Sequence, residues 1–182
     1  MADINITMIH DRAAEVDLKV KAAADTPSWD LIELLFFAYR DFVGDPDGVL
    51  EKFGFGRAHH RVLHFVNRNP GMKVAELLDI LKITKQSLGR VLKQLIDEGY
   101  VTQQEGANDR RQRLLYATAK GEQLAMQLAG LQTVRIRRAL AALGPHAHEE
   151  ARAFLLAMID GEDRDRVLRL IDRNERVRRV RA

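Results

Sequence analysis

Three sets of residues in this chain have the types and spacing for chemistry with a partner. The first is Lys85, Gln86, Ser87, Arg90 and Lys93, with Gln94 beside them, which share one side of a helical stretch that has no acid before Asp97. Cations, an amide and a hydroxyl on one helix face suit a DNA major groove, where Arg reads guanine and Gln reads adenine. A solvated helix surface is the ordinary alternative. The second set is Asp109-Arg110-Arg111, in a turn between two strand-like runs. The third is His60 and His64, four apart and so on one helix face. They could hold a metal or touch a ligand, because imidazole is the commonest metal ligand. His59 stands beside His60 on the same helix, but no carboxylate lies near them in sequence, which favours packing or surface histidines. His146 and His148 stand beside Glu149 and Glu150, where acids suit a helix N-terminus.

Catalysis finds no support in the residues. There is no Gly-rich phosphate loop, no Ser or Cys nucleophile motif and no full set of metal-ligand spacings. The chain contains no cysteine, which removes disulfides, thiolate metal sites and thiol redox sensing. The net charge of +3 is modest, so local placement of Lys and Arg has to carry any argument for nucleic acid.

The elements around the first two sets decide between the readings. Leu88, Val91, Leu92, Leu95 and Ile96 recur at helical spacing, and Thr84 is well placed to cap that helix. Before it, Lys73 to Leu81 carries Val74, Leu77, Leu78 and Leu81 at the same period, joined through Lys82 and Ile83. Two short helices so closely joined read as a helix-turn-helix. After it, Tyr100 to Gln104 and Arg113 to Ala117 read as strands around the turn residues Glu105 to Asp109. A helix-turn-helix followed by a basic-tipped hairpin is a winged helix.

The runs Leu95-Ile96-Asp97-Glu98-Gly99-Tyr100-Val101, Asp109-Arg110-Arg111 and Ala117-Thr118-Ala119-Lys120-Gly121 resemble the signature of the MarR family of bacterial transcriptional regulators. The resemblance spans about residues 28–175 by architecture and is specific over about 57–121. It implies a homodimer with one winged helix per subunit and a dimerisation region made from both chain ends. It also implies that the Ser87 to Arg90 region reads the major groove, that the wing reaches the minor groove, and that Asp109 orients Arg111. Two residues depart from the pattern: Gly89, where the family often has Ser or Thr, and Arg113, usually a small apolar residue.

The rest of the chain is read as support for this module. Residues 1–27 form an N-terminal extension, either a flexible arm or a segment packed on a partner subunit. Residues 28–56 give a dimerisation helix, apolar around nearly its whole circumference from Trp29 to Val43, which Gly44-Asp45-Pro46-Asp47-Gly48 ends or bends. Arg57 to Asn69 is a helix with Val62, Leu63 and Val66 inward. Residues 57–121 are the winged helix-turn-helix. Residues 122–182 supply C-terminal dimerisation helices and a basic tail. There Leu124, Leu128, Leu131, Ile136, Leu140 and Leu143 form a stripe, and Ala151, Phe154, Leu155 and Met158 face inward. The fold class is mainly α with one β-hairpin.

The expected function is a homodimeric DNA-binding regulator, a repressor, that recognises an inverted repeat in double-stranded DNA. Lys85, Gln86, Ser87, Arg90 and Lys93 meet the major groove or its phosphates. Arg110 and Arg111 meet the minor groove or flanking backbone. Resemblance suggests a small-molecule effector in a cleft between dimer helices and winged helix, lined by Trp29, Phe36, Tyr39, His60 and His64; no other cofactor or metal is expected. A winged helix docking an acidic protein partner is the alternative function. No signal peptide and no apolar run of the roughly 20 residues of a membrane span are seen, so the expected location is the bacterial cytoplasm.

Overall fold

The structure, a computed structural model, describes residues 26–106, 109 and 111–181, with side chains as far as 173. Most of the expected N-terminal extension and the side chains of the basic tail therefore lie outside the described residues. The chain divides into two units, Met1–Asp41 and Phe42–Ala182.

Seven α-helices and three short strands are described. In chain order they are α1 (Trp29–Leu50), α2 (Arg57–Arg68), β1 (Met72–Lys73), α3 (Val74–Leu81), α4 (Lys85–Asp97), β2 (Val101–Glu105), β3 (Arg113–Ala117), α5 (Ala119–Leu143), α6 (Ala147–Ala157) and α7 (Gly161–Arg181). The class is mainly α with a small sheet, as expected. The sheet has three strands rather than a hairpin alone, in the order β1-β3-β2 and antiparallel throughout. Met72 pairs with Leu115 and Val101 with Ala117.

The core sits under the winged helix because each of its helices turns its apolar stripe inward. Val62, Leu63 and Val66 of α2, Leu77 and Leu81 of α3, and Leu88, Leu92 and Leu95 of α4 are buried together. Leu124 and Leu128 of α5 close the cluster, and Leu115 of β3 enters it from the sheet.

A backbone latch joins α4 to α5. Gly99, in the left-handed region at φ 75°, turns the chain out of α4. The Thr118 backbone N–H then donates to the Tyr100 carbonyl at 3.1 Å, and its hydroxyl donates to the Gly99 carbonyl at 2.7 Å. The same hydroxyl caps α5 by accepting from the Gly121 N–H at 3.0 Å. Lys120 donates to the Glu98 carbonyl at 2.9 Å, with its ammonium 4.0 Å from the centre of the Tyr100 ring. These contacts account physically for the Gly99-Tyr100 and Thr118 to Gly121 portions of the family-like motif.

Of the two readings of the Gly44 to Gly48 run, an end or a bend, the end does not occur: the first helix continues through Pro46 to Leu50. Proline has no N–H and leaves the carbonyl four residues back without its helical donor. Here that carbonyl, on Phe42, accepts a long bond of 3.5 Å from Gln132 of α5. Ion pairs Asp45–Arg135 at 2.9 Å and Asp47–Arg57 at 2.8 Å hold the flanking residues, and Pro46 itself is buried. Phe154, Leu155 and Met158, expected inward, are instead exposed in the single chain, as are Ile136 and Leu143 of the α5 stripe. Ile136 and Leu155 line a shallow pocket with Leu168 and Ile171 of α7 and still remain about half exposed. Arg164 ends α6 by donating to the carbonyls of Leu156, Ala157 and Ile159.

Candidate nucleic-acid interface

The recognition surface begins at the cap of α4. Thr84 Oγ1 accepts from the Ser87 N–H at 3.1 Å and lies 2.9 Å from Ser87 Oγ. With the Thr84 hydroxyl donating, the Ser87 O–H is left to donate outward. Lys85, Gln86 and Arg90 are exposed, and no side-chain partner occupies them among the described residues. Lys93 is exposed and paired with Asp97 one turn on. A solvent-facing pair of that kind contributes at most about 1 kcal/mol, so a phosphate can replace the acid.

Gln94 does not belong to the free face. Its Oε1 is 2.9 Å from His59 Nε2, and its Nε2 donates to Glu98 at 3.0 Å. His59 Nδ1 accepts from the Gly56 N–H at 3.1 Å. That bond leaves the ring proton on Nε2, donating to Gln94. The ring also stacks on Phe55 at 4.8 Å. His59 and Gln94 thus fasten the start of α2 to the recognition helix.

At the wing tip, Asp109 Oδ1 accepts from the Arg111 backbone N–H at 2.9 Å, and the Asp109 carbonyl accepts from Gln112 N–H at 3.0 Å. Asp109 therefore orients Arg111 through the backbone of the turn, and the guanidinium stays unengaged among the described residues. Arg110 lies outside the described residues. Arg113 is held by the cross-strand Glu105 carboxylate at 2.9 Å, in register with it.

Helix and wing share one groove of about 730 Å³, which Lys85, Gly89, Lys93 and Arg111 line together. Lys73 and Arg113 line it too, and Asp97 is the single acid there. Lys73 escaped the sequence reading because it precedes a helix that carries no other cation. Its place at the first turn of the helix-turn-helix was the available signal. A β-carbon added at Gly89 meets nothing within 4 Å.

The remaining candidates are placed as follows. Trp29, Phe36 and Tyr39 of α1 are 64%, 69% and 54% exposed. His60 of α2 is buried, and burial holds its pKa below the usual value despite the opposing pull of Asp47. His64 is pushed down to about 4, by burial first and then by His60 and Arg68. No three His, Asp or Glu side chains cluster for a metal among the described residues.

A pH effect follows from His64. It is neutral when folded, whereas an unfolded histidine titrates near 6.5, so the unfolded chain binds more protons between those values. Stability should be complete above about pH 6.5 and fall as pH drops toward 4, by an order of 1–2 kcal/mol at pH 5. Denaturant unfolding at pH 7 and pH 5 checks this. His64→Gln should flatten the difference; an unaltered slope would show that His64 is not its source.

Comparison with known proteins agrees with this geometry. Residues 53–112 match the model of the MarR family. Over 129 residues the chain is 50% identical to the HTH-type transcriptional regulator PetP of Rhodobacter capsulatus, covering 71% of this chain and 78% of that one. The chain belongs to the MarR family. It is a DNA-binding transcriptional regulator and not an enzyme. Among solved structures, a MarR-family protein of Listeria monocytogenes complexed with a 26mer DNA aligns at TM-score 0.61 and 20% identity, covering 78% of this chain and 93% of its own. NadR in complex with 4-hydroxyphenylacetate aligns at TM-score 0.59 and 23% identity, covering 69% and 91%. At these identities the two share the winged-helix fold with this MarR-family chain.

Proposed function

We propose that this MarR-family regulator acts as a two-fold dimer that represses transcription by occupying an inverted repeat. The observation that carries the reading is the shared groove, where Lys85 and Lys93 of the recognition helix and Arg111 of the wing meet around one concave surface. Arg90 stands exposed on the same helix. Cations from two elements on one groove fit a duplex, whose phosphates flank the base edges that α4 reads. The Listeria monocytogenes neighbour complexed with a 26mer DNA shares this fold.

The dimer is supported by large apolar side chains that stay mostly exposed among the described residues: Val134, Ile136 and Leu143 of α5, Phe154 and Leu155 of α6, and Met158 just after it. Exposed apolar surface of that extent marks an interaction site. Trp29, Leu34 and Phe36 of the other unit are likewise exposed. A two-fold dimer sets its recognition helices about one helical turn apart. Effector release joins the proposal through NadR, a fold neighbour that holds a small aromatic acid. A ligand that binds one spacing of the two helices better than another shifts the DNA affinity. A regulator that acts on the chromosome would do so in the bacterial cytoplasm.

Selection of bound duplexes from a random library tests the reading. An inverted repeat with half-sites about ten base pairs apart is expected. Recovery of a single unrepeated site, or no enrichment at any salt, would overturn the symmetric-dimer assignment.

A further inference from the structure

We propose that Gly89 is a clearance residue for DNA: its missing side chain lets the sugar–phosphate backbone of one strand lie between the recognition helix and the wing. The inference rests on the reading of the shared groove as the DNA interface. Glycine is disfavoured in a helix interior relative to alanine. Gly89 lies inside α4, whereas α2 and α3 carry no glycine. Nothing in the fold calls for it. Its φ is not positive, unlike that of Gly99. A β-carbon there meets nothing within 4 Å, whereas one at Gly121 would overlap the Tyr100 carbonyl. The residue is exposed. The space that a side chain would fill is therefore open to a partner, and close approach of another molecule to the backbone is one use of glycine.

The surroundings of that space select the part of DNA that fits it. Lys85 and Lys93 stand one turn before and one turn after Gly89 on the same flank of α4, and all three line the groove. Arg111 of the wing and Lys73 line it with them. These four cations are exposed, while Leu92 and Ile96, which also line the groove, are set deeper. The acid there, Asp97, is held by Lys93. An apolar wall beside exposed cations matches deoxyribose and phosphate. Base edges are told apart by side-chain donors and acceptors, and Gln86, Ser87 and Arg90 do not line this groove. Base reading and backbone seating thus fall on different flanks of α4.

Gly89→Ala and Gly89→Leu test this, with binding measured on the selected operator and on a mixed-sequence duplex at low salt. The second probe keeps the test valid even where no operator is enriched, an outcome that would count against the inverted-repeat reading alone. Both substitutes are better helix formers than glycine, so unfolding midpoints should hold or rise. Affinity should nevertheless fall, in the order Gly, Ala, Leu, with Gly89→Leu costing about tenfold or more. The loss should appear on both duplexes, because a backbone contact carries no sequence information. Combined with Arg111→Ala, Gly89→Leu should cost less than the product of the two separate losses, since a strand already displaced from the groove has left the wing as well. Unchanged affinity of both variants would overturn the proposal. So would a loss confined to the operator, which would set a base edge against Gly89, or a lowered midpoint, which would assign the loss to the fold.

Discussion

Replacing Gly121 with alanine should destabilise the folded chain by about 3 kcal/mol or more. The added β-carbon would stand 2.0 Å from the Tyr100 carbonyl oxygen and 3.0 Å from its carbon. Both are backbone atoms, so no rotamer change can relieve the overlap. Relief requires moving α5 away from the chain that leaves α4. The same carbonyl accepts from the Thr118 N–H, and the Thr118 hydroxyl caps α5 at Gly121. Displacement therefore strains the cap as well as the core, since Leu63 lies 3.4 Å from the new carbon. Gly89→Ala on α4 is the matched contrast. No atom lies within 4 Å of its added carbon, and the residue is exposed in a helix interior. It should stabilise by about 1 kcal/mol, the propensity difference between the two residues. Denaturant unfolding of both variants checks the pair. A mild effect at Gly121 would mean that the α4–α5 junction yields more easily than its hydrogen bonds suggest.

The contrast shows where the fold was legible in the sequence. Helices α2 to α5 declared themselves through apolar residues at a 3.6 period, because one face of each meets the common core. The β3 strand was found at its observed limits, since turn residues precede it and Thr118 follows as a helix cap. Strand β1 was not legible: two residues cannot display a period, and Met72 pairs only because Leu115 lies beside it. At Pro46 the local chemistry argues for an end or a bend; the helix continues, and the donor that serves the Phe42 carbonyl comes from Gln132, ninety residues on. The C-terminal apolar residues were legible as a stripe, yet several of them stay exposed among the described residues. Within the candidate interface, the helical wheel put Gln94 among the free donors. Only the three-dimensional partner His59 shows that its amide is already engaged. For Asp109, the resemblance implies an orienting role toward Arg111, and the structure shows its carboxylate accepting from the Arg111 backbone N–H.

Arg111→Ala should lower affinity for the selected operator about tenfold to a hundredfold, because the proposed dimer would carry the change twice and each contact is worth about 1 kcal/mol or somewhat more. The side chain is exposed at the wing and makes no hydrogen bond or ion pair with the described residues, so its loss removes nothing from the core. Unfolding midpoints should match the unaltered protein. The dependence on salt distinguishes the kind of contact. If each guanidinium neutralises one phosphate, the slope of log affinity against log salt should flatten by about two units for the dimer. A loss of affinity with the slope preserved would point instead to base edges or groove shape. Asp109→Ala separates orientation from charge, since it keeps both arginines and removes the acceptor that holds the turn. Its affinity should fall although the local charge becomes more positive. Were electrostatic attraction alone responsible, removing that acid would strengthen binding. An Arg111→Ala protein that binds the operator unchanged at physiological salt would take the wing out of the interface and leave α4 to read DNA without it.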